Sequence, residues 1–294
     1  MAKSEGTKQM AALADSHFHL FQRGFPGSDG KPVLGAGSEI ETYEAYRREH
    51  AIVGGLVIGY EGDGIDPDNN RYIRALARTR PWTATLAYVD INDGATSENV
   101  RHLLGDGHLG IVGYAPDRKA AETIAAWPDA TWRILDDQGA IISINATPEA
   151  MPALAGVVSR YARCRFLFAH VGLPGRYAET PGAAEAEARI SGLLGMADSG
   201  NVLVKISGLY AISDPASAHP HEAAAPFVKA VLDRFGPERC LWASDFSPAL
   251  EFLSFEQTVD NPWLDDLAPE DRDRVMGGNL LALLRGRGWT GAAG

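Results

Sequence analysis

The chain has 294 residues, of which 45% are apolar and 22% charged, and a formal net charge of −11 at pH 7. The length suits one large core, and the acidic balance argues against nucleic-acid or anionic-membrane partners because there is no basic footprint. No run approaches the ~18 apolar residues of a membrane helix. The apolar N-terminal stretch stops at Asp15 and does not read as a signal peptide, so a cytoplasmic protein is expected. Cys164 and Cys240 each sit in or beside apolar sequence and read as buried free thiols.

Residues 1–10 read as a flexible leader, 11–285 as one domain, and 286–294 as a loose tail whose Trp289 can pack back. The first apolar run, 11–15, predicts a strand. A Gly/Pro-rich loop over 20–38 follows, long enough to suggest a functional role. Ser38 caps a helix to His50, with Glu41 three residues on. Strands are predicted at 52–60, 83–89, 110–114, 140–146, 165–169, 201–207 and 240–244. Helices are predicted between them, at 70–79, 97–107, within 117–137 (interrupted at Trp127-Pro128), at 148–162, 183–199 and 222–235. Further loops span 172–182 and 208–220, and helices near 254–260 and 270–284 close the chain.

Eight strand-like runs alternate with helices. Several of them are continuously apolar, as parallel strands covered on both faces should be. No dinucleotide-binding glycine fingerprint follows the first strand. The expected fold is therefore α/β, a single (β/α)8 TIM barrel with extended active-face loops rather than an open sheet. Catalytic groups of such barrels sit at C-terminal strand ends.

His17 and His19 lie just past the first run, His170 ends the sixth and Asp245 follows the eighth. Two histidines two apart on a strand share a face, and strands 1 and 8 become neighbours on closure. His17, His19, His170 and Asp245 are therefore the candidate catalytic residues. His17, His19 and Asp245 are the candidate ligands of at most one divalent ion, zinc suiting them best. The metal-free alternative uses Asp245 as general base and the histidines as donors to a developing oxyanion. Candidate substrate contacts are Tyr60, Tyr88, Tyr114 and Asn145 at strand ends, Lys205 within strand 7, and Arg23, Arg118 and Arg176 on active-face loops. A structural ion pair is the plainer role for Lys205, and a solvated surface role for each arginine. His219 and His221 read as surface or helix-start residues.

The segments ADSHFHL (14–20), FAHVGLPG (168–175), NVLVKISGLY (201–210), LWASDFSP (241–248) and GGNLLALL (277–284) carry a resemblance. Their order and spacing resemble the amidohydrolase-related family of metal-dependent TIM-barrel hydrolases. The branch most similar contains sugar lactonases and 2-pyrone-4,6-dicarboxylate lactonase. The resemblance implies that His17 and His19 are ligands or carbonyl-polarising groups and that His170 lies in the active centre. It implies that Asp245 takes a proton from water, that Ser244 supports it, and that Asn279 plays a structural role. The family's strand 4 or 5 carboxylated lysine or glutamate and its strand 5 histidine are missing. Tyr114 and Asn145-Ala146 stand there instead, so a two-metal centre is not expected. The leading expectation is a hydrolase that opens a small lactone or related cyclic ester. The alternatives are a metal-dependent non-oxidative decarboxylase and a catalytically silent barrel that binds a small molecule. A small-molecule substrate is the expected partner, and self-association as a homo-oligomer is compatible with the sequence.

Overall fold

The structure, a computed structural model, describes residues 12–62 and 65–291. The predicted leader lies outside the described residues, as do the last three residues of the tail. Eight parallel strands run in sequential order around a barrel: β1 (Leu13–Phe18), β2 (Ile52–Ile58), β3 (Thr83–Tyr88), β4 (Gly110–Ala115), β5 (Ile141–Ala146), β6 (Arg165–Phe168), β7 (Val202–Ile206) and β8 (Cys240–Trp242). The ring is closed between β8 and β1 by Ser16 Oγ donating to Trp242 O at 2.8 Å and Asp245 N donating to His17 O at 2.9 Å. Among the described residues no helix is long and apolar enough to cross a membrane.

The apolar residues divide between two cores. Ala14, Leu56, Ile58, Leu86, Val112, Ile141, Leu167 and Leu241 fill the barrel interior. Phe18, Val57, Ile111, Phe166, Phe168 and Trp242 face outward and pack against the helices. This explains why the strands read as continuous apolar runs: both faces are buried.

β1 breaks the alternation. From Asp15 to Phe18 it advances three residues while β2 advances two, from Gly55 to Val57. This bulge puts Phe18 in the outer core although Ala14, four residues earlier, faces inward. The strand also runs three residues further than the predicted 11–15 run.

The predicted helix pair within 117–137 forms as α4 (Arg118–Ala125) and α5 (Asp129–Asp137). Ahead of it lie α1 (Glu39–Glu49), α2 (Asn69–Thr79) and α3 (Ser97–Asp106). The helix expected over 148–162 is shorter, α6 (Met151–Arg160). The one expected over 183–199 breaks into α7 (Ala183–Arg189), α8 (Ser191–Leu194) and a 3-10 turn, in a stretch that contains Gly192 and Gly195. After α9 (Ala225–Phe235) and α10 (Phe255–Val259), the last helix is interrupted. α11 (Pro269–Asp273) passes through a π turn, Arg274–Gly278, into α12 (Asn279–Arg285). The π turn lets Gly277 lie against the start of β1. A Cβ there would sit 2.0 Å from Ala12 O. Gly277→Ala is expected to destabilise the fold by about 1–3 kcal/mol. The check is the denaturant midpoint at constant m, and an unmoved midpoint would contradict this packing.

Asn279 donates to Pro237 O at 2.7 Å and Cys240 O at 2.8 Å, holding the base of β8 as expected. Trp289 packs back against Gly54 of β2. Both cysteines are buried and free, and burial pushes each thiol up to about 12.

Candidate active site

The C-terminal ends of β1, β6, β7 and β8 converge on one buried cluster. His17 Nε2 lies 3.1 Å from His19 Nε2 and 3.7 Å from Asp245 Oδ1. His19 Nε2 is 3.9 Å from that same oxygen, and His170 Nε2 is 3.9 Å from Asp245 Oδ2. Ligand atoms of His17, His170 and Asp245 all lie within 4.8 Å of one another.

The backbone is forced into this arrangement. Asp245 (φ 56°) and His170 (φ 54°) occupy the left-handed region that non-glycine residues avoid, at a cost of about 1–3 kcal/mol each. Gly208 makes room for the histidine, since a Cβ there would fall 2.4 Å from His170 Nδ1.

The hydrogen bonds run in one sense. The Ile58 carbonyl can only accept, so His19 Nδ1 donates to it at 2.9 Å, and the His19 Nε2 lone pair faces the cluster. Lys205 Nζ, fully buried, donates to Ser143 Oγ at 2.8 Å and lies 3.0 Å from His17 Nδ1. With the lysine charged, His17 Nδ1 accepts and its Nε2–H donates to His19. His170 Nδ1 pairs with Ser207 Oγ at 3.0 Å.

Burial dominates the ionisation of the cluster. It lowers His17 well below its ordinary value. It pushes His19 down to about 4 against the pull of Asp245, and His170 to about 3, helped by the charge of Lys205. All three imidazoles are therefore neutral at pH 7. Burial raises Asp245 to about 6, opposed by His19, the Tyr210 hydrogen bond and Lys205. It lowers Lys205 to about 7 against the attraction of Asp15 and Asp245.

The donor set fits one divalent ion. Neutral imidazoles and a carboxylate are zinc-type ligands at about 2.0–2.2 Å, and nitrogens 3.1 Å apart can share an ion between them. Two ring nitrogens facing each other otherwise need a proton between them. His17, His19, His170 and Asp245 would hold the ion.

Above the cluster opens a cavity of about 350 Å3, lined by His19, His170, Asp245, Phe21, Phe25, Tyr60, Ile65, Tyr114, Asn145, Tyr210 and Pro248. Of the predicted substrate contacts, Tyr60, Tyr114 and Asn145 reach it. Tyr88 stands behind them, its ring 5.5 Å from Tyr60 and 6.0 Å from Tyr114. Lys205 lies beneath the histidines instead of in the lining. Arg23 and Arg176 are exposed, and Arg118 pairs with Glu122 at 2.8 Å on the surface; none of the three lines the cavity. His221 is buried, and it stands at the helix start as expected, just before the 3-10 turn Glu222–Ala224 that leads into α9.

Two roles were not visible in the sequence. Tyr210, on the loop after β7, donates to Asp245 Oδ2 at 2.8 Å. Asp15 accepts from His17 N at 3.1 Å, Ser244 N at 3.0 Å, Tyr43 OH at 2.9 Å and Ser244 Oγ, and so ties β1, β8 and α1 together. Ser244 thus holds the backbone around Asp245, its Oγ donating to Asp15 and accepting from Phe246 N at 3.1 Å, without a side-chain bond to Asp245. Tyr210 is the last residue of the segment 201–210 and Asp15 the second residue of the segment 14–20, but neither spacing points to these partners.

An eight-stranded barrel with a His/His/Asp metal site at its C-terminal mouth defines an enzyme of hydrolase type, with chemistry that suits hydrolysis or decarboxylation. The sequence matches the amidohydrolase family over residues 14–286, and the chain belongs to that family. It is 33% identical over 150 residues to an L-fucono-1,5-lactonase of Burkholderia ambifaria, a match covering 47% of this chain and 48% of that relative, so it spans about half the relative's length. Its fold is similar to that of an amidohydrolase of Burkholderia multivorans crystallised with bound zinc (TM-score 0.68, 18% identity, 92% of this chain and 98% of that one). It is also similar to a probable 2-pyrone-4,6-dicarboxylic acid hydrolase of Acinetobacter baumannii with citric acid bound (TM-score 0.71, 13% identity, 93% and 99%).

Proposed function

We propose that the protein opens a small, uncharged lactone by water attack assisted by Asp245. The observation that carries this reading is the position of Asp245. Its carboxylate stands in the cavity wall, 3.7–3.9 Å from three neutral imidazoles, and its pKa is raised to about 6, close to working pH. The described lining contains no arginine or lysine, which favours an uncharged ester over a dicarboxylate. The similarity to a lactonase over half its length points the same way.

Asp245 accepts a proton from water as the water oxygen bonds to the ester carbon. The ring oxygen then leaves with that proton, giving the hydroxy acid. Tyr210 holds the carboxylate through Oδ2, leaving Oδ1 directed at His17 and His19. A divalent ion bound by His17, His19, His170 and Asp245, zinc by analogy with the B. multivorans structure, would polarise the carbonyl and lower the pKa of water. Tyr60, Tyr114 and Asn145 supply hydroxyl and amide groups to orient the ring.

The test is a panel of sugar lactones, pyrone carboxylates and simple esters, followed by acid release. Ring opening of an uncharged lactone with a kcat/KM above about 10⁴ M⁻¹s⁻¹ is expected. Carbon dioxide release from an aromatic acid would replace the reading with decarboxylation. Binding without turnover would replace it with a silent barrel.

A further inference from the structure

Glu39, the first residue of α1, is only 3% exposed, and no cation is among the groups that act on its carboxylate. Its two oxygens accept three hydrogen bonds: Oε2 from Phe21 N at 2.6 Å, and Oε1 from Phe25 N at 2.7 Å and Ser247 Oγ at 2.7 Å. Burial still outweighs these donors and raises its pKa. A carboxylate held this way is costly, and a helix start does not need it, because Ser38 already caps α1.

The three donors lie on two loops that build one side of the cavity. Phe21 and Phe25 line it, their ring centroids 5.6 Å apart, and Phe21 lies nearly parallel to His19 at 5.7 Å. Ser247 precedes Pro248, another wall residue, and follows Asp245 by two positions. The base of the first loop has separate ties: Gln22 N donates to Asp66 Oδ2 at 2.9 Å, and Asn69 Nδ2 to Leu20 O at 2.8 Å. Loss of Glu39 therefore frees the Phe21–Phe25 wall without releasing the whole loop.

We propose that Glu39 is a specificity-determining positioning residue, which sets the width of the cavity on its Phe21–Phe25 side and so limits the substituent a lactone ring can carry. It touches no substrate. The proposal rests on the lactone reading for its consequence, and on the hydrogen bonds alone for its mechanism.

The full-length wild type, Glu39→Gln and Phe25→Ala are compared on δ-valerolactone, δ-hexanolactone and δ-decanolactone, and amide hydrogen exchange is followed at Phe21 and Phe25. In Glu39→Gln the kcat/KM ratio of the decanolactone to the valerolactone should rise about fivefold or more. Both amides should exchange at least about tenfold faster. Phe25→Ala, which widens the same wall directly, should move the ratio in the same direction. A purely structural glutamate would lower Tm and scale all three lactones alike, and a ratio within about twofold of wild type overturns the proposal. Unchanged exchange at Phe21 and Phe25 overturns it as well. Should the wild type open none of these three, nor any lactone of the wider panel, the lactone reading falls; in either case the clamp is then judged by exchange and by a crystal structure of Glu39→Gln. Unmoved Phe21 and Phe25 rings there would overturn it.

Discussion

Asp245→Asn should lower turnover of the true substrate by about 10³-fold while leaving the far-ultraviolet spectrum and Tm close to wild type. The amide is isosteric, so Tyr210 OH keeps an acceptor and the β8–β1 closure through Asp245 N and His17 O is untouched. What is lost is the site that receives the proton. The wild-type pH profile should show the same group. Because burial raises Asp245 to about 6, kcat/KM should climb as pH rises through about 6, where the carboxylate ionises. Tyr210→Phe deletes a hydrogen bond that lowers this pKa, so its acid limb should move to higher pH. Wild-type turnover by purified Asp245→Asn would remove Asp245 from the mechanism.

Lys205→Met should tighten divalent-metal binding about tenfold at pH 6.5 and flatten its dependence between pH 6.5 and 8. The reason is the direction of the hydrogen bonds. A charged Lys205 can only donate to His17 Nδ1, which leaves the His17 proton on Nε2, the atom that faces His19. Metal uptake at that nitrogen therefore requires one proton to leave the Lys205–His17 pair, since a neutral amine can accept from Nδ1–H. Burial brings Lys205 down to about 7, so affinity in the wild type should rise as pH increases through 7. Methionine fills similar volume, carries no charge and donates nothing. Calorimetric titration with zinc in two buffers of different ionisation enthalpy counts the released proton. An unaltered pH slope in the variant would show that Lys205 does not control the His17 tautomer.

The barrel was legible because its strands are buried on both faces, so runs such as RFLFA and VLVKIS stand out against the helices between them. The helix interruptions were less so. At Arg274–Gly278 the cause is a close approach to Ala12, a contact between distant parts of the chain that local propensity does not encode. In the cluster, His17, His19, His170 and Asp245 could be picked out because strand ends are countable. The loop arginines could not be placed, because a residue such as Arg118 is equally at home pairing with Glu122 one helical turn away. Lys205 was visible as an expense in a barrel strand, yet its neighbours, Ser143 and His17, come from β5 and β1. Tyr210 depends on the fold of a loop after β7, which carries no periodic signal.

The extra residue in β1 has a bearing on how such a centre can be transplanted. Transferring the Ala14–His19 segment residue for residue onto another eight-stranded scaffold would fail if that scaffold's first strand were regular. With Ala14 facing inward, strict alternation would turn His17 and His19 out among the helices and bring Phe18 inside. The extra position between Asp15 and Phe18 has to travel with the segment or be removed together with the irregularity it creates, since a regular strand lacking Ser16 would keep Ala14, His17 and His19 on one face.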